Sequence, residues 1–197
     1  MDKATRTKQL IIEKTAPIFN EKGFAGTSIS DLTNATGLTK GSIYGNFENK
    51  DEVALAVFDY NVSLLNKRVS AVAEGSTNAV SKLHKMANCY IAENGGSVTR
   101  GGCPILNTAV EADDTHPLLK AKASKSLRKW KKDLENLVKQ GIAEKIIKSA
   151  VDPAAFAIEY IALIEGGILL ARTTGDISLL QTCVERIHKI IDRELKR

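Results

Sequence analysis

Polar and basic side chains able to bind a ligand gather between Thr27 and Glu52, in TSISDLTNATGLTKGSIYGNFENKDE. Lys40, Ser42, Tyr44 and Asn46 open a short helical pattern, with Gly41 and Gly45 between them. Ammonium, hydroxyl and amide groups donate hydrogen bonds to phosphate oxygens and base edges, and glycine lets a backbone come close. An exposed helical run in an ordinary bundle favours Ala, Leu or Glu instead. The chemistry expected here is therefore nucleic-acid binding. Thr39, Tyr44 and Lys50 are placed to hold phosphates, and Lys40 with its first-turn neighbours to read bases. Thr27 and Ser28, at the start of the preceding helix, are counted in the same set.

Other reactive types are scattered. Cys103 follows Gly101-Gly102 and precedes Pro104, at or just before a helix N-terminus. Free backbone N–H groups there favour a thiolate, and Arg100 adds to the effect, so oxidant or electrophile sensing is one reading. A small, buried packing role is the other. His84, His116 and His188 fall on three separate elements, with His84 read as a helix-surface residue. None sits with a Ser or Cys in a triad motif, so no catalysis, cofactor or metal is expected. The segment ENGGSVTRGG lacks the Lys-Ser/Thr of a phosphate loop and reads as a flexible connector. Seven Lys/Arg lie between Lys120 and Lys132, around Trp130. Leu119, Ala123, Leu127, Trp130, Leu134 and Leu137 nevertheless share one stripe, which marks a core-packed helix rather than a membrane-surface one. Its basic side is expected to be partly neutralised by Glu111, Asp113 and Asp114.

Two short helices must position the polar run. Ser28 and Asp31 have capping-box spacing, and Ile29, Leu32 and Ala35 form an apolar edge. Gly37 stops the first helix, because glycine tolerates the left-handed conformation. Leu38 plugs the turn and Thr39 caps a second helix, Lys40 to Phe47, with Ile43 and Phe47 pointing inward. This is a helix-turn-helix unit, whose second helix enters the major groove. A helix over 5–22 precedes it, carrying Ile12, Ala16 and Phe19, with a kink expected at Pro17. Asn49 and Glu52 cap a linking helix, 50–73. Beyond Gly75-Ser76-Thr77, helices are expected over 77–93, 104–113, 117–140, 153–172 and 177–195, with Asp152-Pro153 a strong start.

Composition sets the bounds. Apolar residues make up 43% of 197, as in ordinary soluble domains. Three scattered cysteines suit neither a disulfide framework nor a zinc site, and point to a reducing cytoplasm. Glu13 and Lys14 interrupt the first apolar run, so no secretory signal is read. Glu159 and Glu165 interrupt Pro153 to Ala171, so no membrane span is expected. The net charge of +5 divides as −1 over residues 1–60 and +6 over the rest, so the basic total says nothing about DNA.

The run TSISDLTNATGLTKGSIYGNFENKDEV, with Phe19-x-x-x-Gly23-Phe24 before it, resembles the DNA-binding motif of TetR-family repressors. The motif covers roughly the first 60 residues. Thr33 and Thr36 stand where that family usually has Ala, which predicts slight strain in helix packing. Gly45-Asn46 replaces its usual aromatic or His residues, which bears on operator preference. The resemblance implies an all-α protein: an N-terminal three-helix helix-turn-helix domain (1–50) on a C-terminal helical effector and dimerisation domain (51–197). It agrees with the apolar excess of the last two helices, which predicts a homodimer seam through Ile161, Ile168, Leu180, Val184, Ile187 and Ile191. The function expected is a dimeric repressor on double-stranded operator DNA, released by a small apolar or aromatic effector. Met86, Tyr90, Cys103, Trp130, Phe156 and Tyr160 are the candidate pocket residues. The rivals are a sensor acting through Cys103 and a constitutive DNA-bound adaptor.

Overall fold

The computed structural model describes residues 2–91 and 101–197. Among these the regular structure is helical, apart from one isolated bridge between Ile147 and Lys196. The helices are α1 (Lys3–Gly26), α2 (Ile29–Thr36), α3 (Lys40–Tyr44), α4 (Lys50–Ala73), α5 (Ala79–Asn88), α6 (Pro104–Ala112), α7 (Pro117–Ala143), α8 (Pro153–Thr174) and α9 (Ser178–Ile190). A π-helical turn, Ile191–Leu195, extends α9. The chain divides into two compact units, Met1–Leu65 with Thr99–Lys125, and Asn66–Val98 with Ser126–Arg197. The first unit takes in α6 and the start of α7.

The first unit closes over Ile11, Phe19, Leu32, Ile43, Phe47, Val57 and Phe58, joined by Leu119 and Ala123 from α7. Helix α1 stays helical through Pro17; the departure is at Gly23 (φ 75°, ψ 178°). Ile11 and Ala16 before Pro17, and Phe19 after it, are all buried in one core, which holds the two sides in line. Gly37 adopts the left-handed conformation (φ 70°) and ends α2, as expected. Glu111 does not neutralise α7. Its carboxylate accepts from Phe24 N at 2.7 Å and Ala25 N at 2.8 Å, beside the Gly23 bend. Lys120 pairs with Asp113 instead, and Lys129 with Asp133. Leu127, expected in the α7 stripe, is exposed.

The second unit is built on α8 lying along α9. A Cβ on Gly167 would sit 2.7 Å from Leu180 Cδ1 and 3.1 Å from Cys183 Cβ, so a side chain here would make Leu180 and Cys183 shift. Most of the residues expected at a dimer seam are buried within this chain. Leu180, Ile187 and Ile191 are 0% exposed, Val184 1% and Ile168 3%. Ile161 is half-buried. A single α9 stripe is used up in packing against its own chain. The large apolar side chains exposed on α8 are Ile158, Leu169 and Leu170, 48–57% exposed. Helix α8 is long and apolar enough to cross a membrane by length and composition, yet Asp152 caps it through Ala154 N and Ala155 N, and it packs along α9. Most of the glycine-rich segment, with Arg100, lies outside the described residues.

Candidate nucleic-acid interface

The polar face of α3 rests on a rigid base. Ser28 and Asp31 close a reciprocal capping box at the start of α2. Lys22 Nζ reaches Asp31 at 2.7 Å, and with the Ser28 hydrogen bonds it holds that carboxyl down to about 2. The Thr36 hydroxyl donates to Leu32 O at 2.7 Å and accepts from Leu38 N at 3.2 Å. Both threonines at the alanine positions thus bond within their own turn, Thr33 to Ser30 O. Thr39 Oγ1 accepts from Ser42 N at 3.1 Å and starts α3. Ile43 and Phe47 are buried beneath.

On the outer side, Thr39, Lys40, Gly41 and Gly45 are exposed, and Ser42, Tyr44 and Asn46 half-exposed. Lys40 Nζ lies 6.0 Å from the centre of the Tyr44 ring, so charge and phenol share one patch. The Asn46 amide donates to Ser42 O at 2.9 Å. Two of the expected residues are instead engaged with the protein itself. Thr27 is 1% exposed, its hydroxyl donating to Gly23 O at 2.6 Å. Lys50 Nζ donates to Thr27 O at 2.8 Å and sits 4.3 Å from the Phe24 ring centre. Both brace the turn between α1 and α2. Ser28 remains at the surface, with its hydroxyl engaged by Asp31.

The candidate effector residues divide between the units. In the second, Tyr90 and Trp130 stack at 6.2 Å, and Phe156 and Tyr160 meet edge to face at 5.9 Å. Met86 and Trp130 are half-buried. Tyr160 is buried, with no hydrogen-bond partner for its hydroxyl among the described residues. Burial and the nearby Cys89 raise its pKa. A cleft of about 260 Å³ lined by Lys148, Asp152, Phe156 and Glu159 includes only one of these residues. Cys103 belongs to the first unit and is 5% exposed. Its place before α6 is as expected, but its thiol is packed rather than presented.

Sequence reasoning missed Glu111 and the pairing of His84 with His188. Both contacts join residues about a hundred positions apart, and no local spacing signals them.

Comparison with known proteins agrees with this geometry. Residues 11–57 match bacterial regulatory proteins of the tetR family, and residues 79–187 the tetracyclin repressor-like C-terminal domain. A TetR-family regulator from Cytophaga hutchinsonii is 43% identical, with a TM-score of 0.95 over 100% of this chain and 98% of that one. A TetR regulator from Chloroflexus aurantiacus is 34% identical, with a TM-score of 0.94 over 100% and 99%. The transcriptional repressor DhaR of Mycobacterium sp. is 27% identical over 84% of this chain and 82% of its own. With both halves matched and the helix-turn-helix in place, the chain belongs to the TetR family of transcriptional regulators.

Proposed function

We propose that this regulator is a repressor that binds a two-fold operator as a homodimer and leaves it when a small apolar or aromatic molecule enters the second unit. The observation that carries the DNA reading is the outer face of α3: Lys40, Ser42 and Tyr44 stand over Ile43 and Phe47, which are buried and fix the helix. Side chains held this way meet base edges without a large ordering cost. Ile158, Ala162 and Leu169 recur on one exposed face of α8, the surface a second copy would cover. In the second unit the buried Tyr160 hydroxyl supports an effector with one polar atom on an apolar body, since an unpaired buried hydroxyl costs about 1–3 kcal/mol.

Selection of random duplex DNA on the immobilised protein tests this. A palindromic consensus with half-sites about one helical turn apart supports the reading. Binding without sequence preference overturns it. Cys103 is assigned a packing role, because its burial leaves no open approach to the thiol.

A further inference from the structure

Two histidines pair away from the residues assigned to DNA and effector. His84 on α5 and His188 on α9 face each other through their Nδ1 atoms. The ring centres are 4.6 Å apart and the planes differ by 17°. With the two Nδ1 atoms in hydrogen-bond contact, the nitrogens lie between the centres, so the rings meet edge to edge and nearly coplanar. At the outer ends, His84 Nε2 meets Asp192 Oδ1 at 3.1 Å and His188 Nε2 meets Asn88 Oδ1 at 2.7 Å.

The donors and acceptors along this row of groups limit its protonation states. A carboxylate only accepts, so His84 Nε2 carries a proton. The Asn88 carbonyl oxygen only accepts, so His188 Nε2 carries one too. The Nδ1···Nδ1 contact holds a single proton, because two would collide. Three protons on two imidazoles make one positive charge, which Asp192 draws toward His84. If the Asn88 amide turns over, its NH2 donates to His188 Nε2, and the pair becomes neutral with its central hydrogen bond intact. A fourth proton has no place in either arrangement.

We propose that Asp192, His84, His188 and Asn88 form a single-proton clasp between α5 and the end of α9, closed with no added proton or one and opened by a second. The surroundings favour this limit. Lys85, Lys145, Lys196 and Arg197 line the adjoining cleft of about 660 Å³, which His84 and Asp192 also border. Glu185 and Asp192 are the acids that oppose them near His188. Burial, and then the charge of His84, lower the His188 pKa below its ordinary 6.5. The linkage has a definite sign. A histidine with a depressed folded pKa contributes its full stabilisation above the unfolded value of about 6.5 and loses it as pH falls toward the folded one. The clasp is therefore shut at neutral pH and fails in acid.

Imidazole NMR titration of the full chain tests this. In the wild type, the pair is expected to take up its two protons in separate steps, the lower one at His188, where burial and His84 oppose the charge. Amide exchange in α5 should quicken through the lower step. His84→Gln removes the like charge and should raise the His188 midpoint by about one unit, a tenfold change in proton affinity. Asp192→Asn should lower the first wild-type step. An unmoved His188 midpoint in His84→Gln overturns the proposal. So does a wild type in which both rings protonate together with α5 exchange unchanged.

Discussion

Lys50 braces the head from within. Its ammonium donates to Thr27 O at 2.8 Å and lies against the Phe24 ring. Removing it leaves a carbonyl of a buried residue without its charged donor. A hydrogen bond to a charged group contributes about 1.5–3 kcal/mol, and partial exposure puts the loss at the lower end. Lys50→Ala should therefore lower the thermal midpoint of the free protein, as read by circular dichroism. A phosphate contact alone would leave that midpoint unchanged. Asp31 is a second residue with a measurable consequence. Its pKa is lowered to about 2 by Lys22 and the Ser28 hydrogen bonds. A depressed carboxyl contributes fully above the unfolded value of 3.8 and loses its contribution as pH falls toward 2. Amide protection in the first turn of α2 should hold down to about pH 4 and fall below it. Cys103, at 5% exposure, should react with iodoacetamide only on unfolding.

At the scale of elements, Glu111 joins α6 to the bend after α1. One carboxylate satisfies two backbone N–H groups, Phe24 and Ala25, where Gly23 has left the helix. Glu111→Ala orphans both, at roughly 1.5–3 kcal/mol for a charge-assisted pair. Denaturant unfolding should show that loss, with faster exchange at those two amides. No change would mean that water replaces the carboxylate freely. Such elements show what can be read along a chain. Ser28 with Asp31, and Asp152 with Pro153, are local signals, and the structure forms both caps. Gly37 likewise announces its stop. Periodicity also showed that Leu180, Val184 and Ile187 are buried. It could not show against what, because a stripe facing its own α8 and one facing a second copy look alike. Lys50 was legible as a cation near the motif, while its bond to Thr27 crosses 23 positions and leaves no local mark.

At the scale of the whole molecule, two substitutions separate folding from assembly. Leu169→Asp places a charge on the exposed face of α8. If a second copy covers that face, the unpaired charge costs about 3 kcal/mol or more, over a hundredfold in dimer dissociation, with the helical content kept. Ile187→Asp buries a charge where exposure is 0%, and should unfold the second unit rather than release an intact monomer. Light scattering beside circular dichroism distinguishes the two outcomes. A Leu169→Asp protein that stays a tight dimer would move the interface elsewhere. Reading of sequence by α3 is checked by repeating the DNA selection with Lys40→Ala. Lys40 is exposed, so the fold should be untouched. The expected result is relaxed preference at one position in each half-site, by about 1–3 kcal/mol of discrimination, with the rest of the consensus kept. A consensus and affinity identical to those of the wild type would contradict the assignment of α3 as the reading helix.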